Sequence, residues 1–195
     1  MTAALKRHSR AIGCQVNIVN HQEQLADDVR RMFNEASERI HDADILSESM
    51  REASDSSALI RVLGFEILLK CALTACRQSF KRSHKYADLW GGLPEDIQEQ
   101  ILAKARSRMS GHSDLSDVAG LLRAYQYVWE KGRYFYEHYE GWRQDDVEAF
   151  GNLWIELGAS EEEAEIAYFP NELRCLIFGL QAFIENWLSR QESAS

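Results

Sequence analysis

The stretch ALIRVLGFEILLKCALTACRQSF, residues 58–80, decides the fold. Its apolar residues occupy nearly all sides of a helix instead of forming one stripe, and a helix of this kind is buried on several sides. We therefore predict that it forms the central helix of a helical bundle. The polar, Ser-rich stretch 51–57 before it is predicted to be a turn.

Helical periodicity covers most of the remaining chain. Apolar residues recur every three or four positions, and no segment alternates with the period of two that is typical of a strand. The other predicted helices span 21–50, 94–109, 114–139, 145–157 and 171–190. Pro94 is expected in a first helical turn, Asp114 as a helix cap, and Gly132 as an interruption. The sequence thus predicts an all-α protein, an antiparallel bundle of at least five helices.

Size and composition indicate one ordered domain. A chain of 195 residues with 45% hydrophobic residues, 27% charged residues and 2 prolines is typical of a globular domain without long linkers. Residues 1–20 are predicted to be an N-terminal extension and residues 21–195 the helical domain. Because residues 11–20 are too short and too polar for a signal-peptide core or a membrane span, we expect a cytoplasmic protein. Its cysteines are then expected to be reduced core thiols: Cys14, Cys71, Cys76 and Cys175.

The net charge of -9 disfavours general attraction to nucleic acid, because the long-range field repels phosphate. The charge is unevenly spread, since residues 142–195 contain eleven Asp and Glu but only three Arg. Residues 1–141 are therefore close to neutral and leave room for a local basic patch. One candidate phosphate-binding cluster, for which a helix-end charge cluster is the alternative, comprises Arg77, Lys81, Arg82, His84 and Lys85.

A short motif carries the strongest functional signal. The sequence GRYFYEHY, residues 132–139, contains an arginine, four intervening residues and a histidine. It resembles the Arg-x4-6-His signature of the HEPN superfamily. The wording EILLK at 66–70, the run HKYADL at 84–89 and the helix start LPE at 93–95 are similar to the same superfamily, so the resemblance spans residues 58–141. HEPN proteins are helical bundles that include metal-independent ribonucleases of toxin–antitoxin and phage-defence systems.

The resemblance implies a catalytic pair. Arg133 would neutralise charge that develops on a phosphoryl group, and His138 would exchange a proton near neutral pH. In HEPN ribonucleases the signature residues of two protomers commonly face each other, which implies a homodimer that cleaves RNA through attack of the 2'-hydroxyl on the neighbouring phosphate. No metal or cofactor is implied. An antitoxin or another defence protein is the further partner that the resemblance suggests.

A different interpretation of the motif stays open. On an unbroken helix Glu130, Arg133 and Glu137 share a face and would form surface ion pairs. His138 would then point about 140° away from Arg133, so their convergence requires a distorted helix or a second subunit. Tyr134 also stands where the family usually carries a polar residue. The alternative function is a non-catalytic HEPN-like module that binds RNA, a nucleotide or a protein partner.

Further residues are candidates for contact with the substrate. Glu66 lies in the apolar helix, where an unpaired carboxylate would be costly to bury, and Lys70 is correctly spaced to pair with it. This pair is either an internal ion pair or part of the cleft. Tyr134 and Trp142 are predicted to stack on RNA bases, and Glu137 is predicted to line the same site.

Overall fold

The computed structural model describes residues 3–49, 55–79, 83–158 and 166–194. Within these ranges the side chains of residues 3–20 and of a few others, among them Phe135, Tyr136 and His138, are outside the description. The described residues form seven α-helices, one 3-10 helix and no strand. The elements are α1 (Ala3–Ser49), α2 (Asp55–Ala75), α3 (Tyr86–Gly91), α4 (Glu95–Arg106), α5 (Val118–Lys131), the 3-10 helix (Gly132–Tyr139), α6 (Gln144–Glu156) and α7 (Pro170–Ala194). The predicted all-α class with at least five helices is confirmed.

Helix α2 is the centre of the molecule. It packs against α1 most extensively, and also against α3, α5 and α7. Side chains on different sides of α2 are therefore excluded from water, among them Val62, Phe65, Leu68 and Leu69. This explains why the sequence of α2 has no polar stripe, and it confirms the prediction of a central buried helix.

Aromatic side chains join α2 to its neighbours. The ring of Phe65 meets the rings of Tyr86 and Tyr125 edge-on, each at a centroid distance of 5.9 Å. Both tyrosines are fully buried, and the Tyr125 hydroxyl donates to the carbonyl of Phe169 at 3.0 Å. Edge-to-face pairs of this kind stabilise a core beyond the area that they bury. The packing fixes α3 and α5, and with them the 3-10 helix that follows α5.

Several helix ends differ from the sequence prediction. Helix α1 begins at Ala3, well before the predicted residue 21, so it runs across the predicted boundary between extension and domain. Helix α2 begins at Asp55, inside the predicted turn, and ends at Ala75. Its predicted continuation fails at Arg77, whose φ of 54° is incompatible with a right-handed helix. The predicted end at Phe80 lies outside the described residues.

The caps of the later helices also shift. Pro94 immediately precedes α4 and is not within its first turn. Asp117 caps α5 by accepting a hydrogen bond from the Gly120 amide at 2.8 Å. Asp114, which the sequence predicted as this cap, instead accepts from the Ser116 amide at 2.8 Å in the preceding loop. In both cases an Asp carboxylate accepts a hydrogen bond from a backbone amide, so the helix-capping propensity of Asp does not distinguish the two positions.

The described cysteines are free thiols. Cys71 and Cys175 are buried and Cys76 is half-buried, whereas Cys14 is outside the described side chains. Burial raises the pKa of Cys71 to about 12, so its thiol is neutral and unreactive near pH 7. In the part of the chain that the structure describes, no helix combines the length and apolar character that crossing a membrane requires.

Candidate functional site

The Arg133 turn, which we define as residues 132–139, begins where α5 ends at Lys131. Its hydrogen bonding is that of a 3-10 helix, and Tyr134 has φ of -127° and ψ of 42°, outside the helical region. The interruption predicted at Gly132 is confirmed. The distortion that the sequence argument required for Arg133 and His138 to converge is therefore present in the backbone.

Arg133 is held by its own helix end. Its Nε donates to the carbonyl of Trp129 at 2.8 Å, and its Cζ lies 4.7 Å from the centre of the Trp129 ring and 5.5 Å from that of Tyr134. The side chain is nevertheless exposed. Stacking on two aromatic faces orients a guanidinium without neutralising its charge.

No described carboxylate forms an ion pair with Arg133. Glu130 instead accepts a hydrogen bond from Gln126 at 2.8 Å, and Glu137 is exposed without an ion pair among the described residues. The surface ion pairs offered as the alternative interpretation are thus not formed. The terminal nitrogens of Arg133 have no hydrogen-bond partner in the described part of the chain, which leaves them open to an anionic ligand.

The backbone of His138 lies in the same turn, but its side chain lies outside the described residues. The convergence of the His138 and Arg133 side chains therefore stays a prediction. The flanking candidates are described: 46% of Tyr134 and 49% of Trp142 are accessible to solvent. Their stacking on a ligand stays a prediction.

Glu66 is buried in α2, where its carboxylate has two cationic or potentially cationic neighbours. Lys70 Nζ lies 2.6 Å from Glu66 Oε1, which confirms the predicted pair. His84 Nδ1 lies 2.9 Å from Oε1 and 3.2 Å from Oε2. The glutamate is 2% exposed, whereas the His84 side chain is 62% exposed. A buried carboxylate thus orients an exposed imidazole, an arrangement suited to proton exchange.

Sequence reasoning placed His84 in the basic cluster and in the run HKYADL, and it missed the contact of His84 with Glu66. The one available signal was the buried acid itself, because a carboxylate in an apolar helix requires partners. In the rest of that cluster, Arg77 donates to Gln22 at 2.7 Å and Lys85 is exposed. Lys81 and Arg82 lie outside the described residues.

Tyr86 is a fully buried tyrosine of α3 that packs against Phe65 of α2. Its hydroxyl donates to the carbonyl of Val62 at 3.4 Å. Burial raises the pKa of Tyr86, the Glu66 carboxylate raises it further, and the Arg133 guanidinium acts in the opposite direction.

An aromatic row extends from the Arg133 turn onto α6. Ring centroids are separated by 6.0 Å between Tyr139 and Trp142, by 5.7 Å between Trp142 and Phe150, and by 6.1 Å between Phe150 and Trp154. No other helix packs extensively against α6 in the described part of the chain. Trp142 and Phe150 of this row, together with Leu153 and Leu157 of α6 and the chain that follows it, are exposed.

Comparisons with protein-family models, with curated proteins and with solved structures gave no match. Among the described residues, no three His, Cys, Asp or Glu side chains are grouped so that they would hold a metal ion.

Proposed function

We propose that this chain is a metal-independent endoribonuclease, an antiparallel bundle of HEPN type that acts as a homodimer. The observation that supports it best is the state of Arg133, whose exposed guanidinium is oriented by Trp129 and has no carboxylate partner among the described residues. An oriented, unneutralised arginine is a suitable group for binding the phosphate of RNA.

In the proposed reaction a base removes the proton of an RNA 2'-hydroxyl, and the 2'-oxygen attacks the adjacent phosphorus. The bond from phosphorus to the 5'-oxygen breaks, and an acid returns a proton to that oxygen. Arg133 stabilises the charge on the non-bridging oxygens, and the His138 residues of two protomers serve as base and acid. The products are a 2',3'-cyclic phosphate and a 5'-hydroxyl end.

The Glu66–His84 pair is proposed as a second proton-exchanging group. Its Nδ1 is engaged by the carboxylate at 2.9 Å, so Nε2 is the ring nitrogen left to exchange protons with a ligand. Lys70 Nζ pairs with the same carboxylate at 2.6 Å and so holds it in place. We include Glu66 and Lys70 in the proposed site on this ground.

The aromatic row supports both RNA binding and dimerisation. Tyr134 and Trp142 are each about half exposed and near Arg133 in the chain, so they are proposed to stack on bases beside the scissile phosphate, with Glu137 at the rim. The apolar face of α6 is proposed to bury itself against a second copy. We further propose a cytoplasmic role in a toxin–antitoxin or phage-defence system, in which an antitoxin or defence protein is the partner.

A second candidate is a non-catalytic HEPN-like module that binds RNA, a nucleotide or a protein. The stacking of Tyr134 on Arg133, at 5.5 Å, favours it. An aromatic side chain that occupies one face of the guanidinium restricts the approach of phosphate to the remaining edge. RNA bases would then still bind by stacking, but the phosphate would not reach the geometry that in-line displacement requires.

The test is cleavage of RNA and of DNA of the same sequence by the purified protein in the presence of EDTA. We expect RNA alone to be cut, with 2',3'-cyclic phosphate and 5'-hydroxyl ends. Arg133→Lys is expected to lower the rate by roughly 10²-fold, since lysine does not reproduce the bidentate contact to phosphate. Arg123→Lys, an exposed arginine on α5, is the control and keeps the wild-type rate. RNA binding without cleavage by the folded wild type would instead favour the second candidate.

A further inference from the structure

A cavity of about 260 Å³ lies between α1, α2, α7 and the turn that follows α4. None of its lining residues belongs to the Arg133 turn or to the Glu66–His84 pair. The lining includes three arginines, one histidine and one acid: Arg61, Arg108, Arg174, His41 and Asp44. Because the chain has a net charge of -9, such a local excess of positive charge calls for a physical explanation.

Arg61 is the most buried of the three arginines that line the cavity. It is 2% exposed, and its terminal nitrogens donate to Asp44 at 2.7 Å, Ser47 at 3.2 Å and Tyr168 at 3.4 Å. Its Nε is buried and has no hydrogen-bond partner among the described residues. A buried donor without an acceptor is unfavourable, and its guanidinium belongs to a residue that lines the cavity.

The other two arginines have no oppositely charged partner in the part of the chain that the structure describes. Neither Arg108 nor Arg174 forms an ion pair with a described residue, and Asp44 is already engaged by Arg61. Arg108 is held in place by Phe178, whose ring centre lies 4.9 Å from its Cζ. Arg174 is half-buried on α7. Two guanidinium groups that line one cavity suit an anion with several oxygens.

We propose that this cavity binds the phosphate group of a small phosphomonoester. A dianionic phosphate matches the two unpaired guanidinium groups in charge, and its oxygens suit their forked geometry. The cavity exceeds the space that one phosphate needs and approaches the lower end, about 300 Å³, of ordinary ligand sites. Gln181 and His41 supply neutral or weakly basic hydrogen-bonding groups for the organic part. The site is independent of the ribonuclease proposal.

Isothermal titration calorimetry at fixed ionic strength tests the proposal with four probes: inorganic phosphate, ribose 5-phosphate, adenosine 5'-monophosphate and adenosine. We expect the phosphate-bearing probes to bind and adenosine not to bind. Tighter binding of the monophosphate than of ribose 5-phosphate identifies a nucleotide as the source of the phosphate. Equal binding of inorganic phosphate and the esters shows that the phosphate alone is recognised.

Arg108→Gln and Arg174→Gln are the decisive variants, because both side chains are at least partly exposed and their loss does not threaten folding. Each is expected to weaken phosphate binding by about tenfold or more, the scale of one charge-assisted hydrogen bond. Arg123→Gln, which removes the same charge elsewhere, keeps the wild-type affinity. The proposal is overturned if no phosphate-bearing probe binds, if adenosine binds as well as its monophosphate, or if Arg108→Gln and Arg174→Gln bind normally.

Discussion

At the scale of single residues, Glu66 shows how a charge is kept inside an apolar helix. Lys70 is one helical turn away and 18% exposed, and His84 approaches from the loop before α3. The helical spacing of Glu66 and Lys70 is local information, so the sequence predicts this pair. The contact with His84 depends on how the chain returns to α2 after a loop. The path of this loop depends on tertiary packing, which the spacing of residues in the sequence does not predict.

Removal of Lys70 tests this arrangement. We expect Lys70→Ala to lower the free energy of unfolding by about 1–3 kcal/mol, because the buried carboxylate loses a charge-assisted hydrogen bond and keeps only His84. Lys85→Ala is the control, because Lys85 is exposed and has no ion pair among the described residues. This variant is expected to change the free energy of unfolding by less than about 0.5 kcal/mol. Equal urea-unfolding curves for both variants would show that the pair contributes nothing.

At the scale of elements, the close approach of α4 and α7 depends on a missing side chain. A Cβ on Gly179 would lie 2.4 Å from the carbonyl oxygen of Ile101 and 3.2 Å from Ala105 Cβ. Both neighbours are fully buried on α4. The backbones of the two helices therefore pack in direct contact at this point, which a larger residue would prevent.

Gly179→Ala is expected to destabilise the fold by roughly 1–3 kcal/mol, the usual cost of overpacking, although alanine is the better helix former. Gly151 on α6 offers a matched control, since no described atom lies within 4 Å of its Cβ position. Gly151→Ala is expected to raise stability by up to about 1 kcal/mol. The measurement is the midpoint of chemical unfolding. Shifts of the same sign in both variants would contradict the packing described for α4 and α7.

The sequence predicts the type of the elements better than their ends, and it does not predict the short helix α3. Period-3.6 patterns identify the helices because burial of an apolar stripe stabilises each one. The ends are determined by single contacts that several residues can make equally well. Asp114 and Asp117 are equally good caps by type, and only the packing of α5 selects Asp117. The break at Gly132 was predictable, whereas the non-helical backbone at Tyr134 was not.

At the scale of the whole molecule, the unpartnered face of α6 is the main feature that one chain leaves unexplained. Phe150, Leu153 and Leu157 are 44%, 50% and 73% exposed. Sequence periodicity assigns an apolar face to α6 but does not say whether another helix or another chain covers it. The candidate site also depends on a second chain, because the proposed chemistry uses histidines from two protomers.

We therefore expect the protein to sediment as a dimer at a concentration of tens of micromolar. This concentration is far above the nanomolar dissociation constants of stable dimers. Leu153→Lys is expected to weaken dimerisation by roughly tenfold or more, since a charge would enter an apolar interface. Ile45→Lys on α1 is the control, because both side chains are 50% exposed in the single chain. A monomer in the wild type, or an equal effect of both variants, would count against the proposed interface.

The most direct test of the ribonuclease proposal is the single-turnover rate of RNA cleavage in EDTA by the wild type, His138→Ala and His84→Ala. We predict that His138→Ala lowers the rate constant by roughly 10² to 10⁴-fold, the scale of general acid–base catalysis, while its unfolding curve stays that of the wild type. His84→Ala is predicted to have a smaller effect. A His138→Ala protein that cuts RNA as fast as the wild type would contradict the assignment, above all if His84→Ala abolished cleavage.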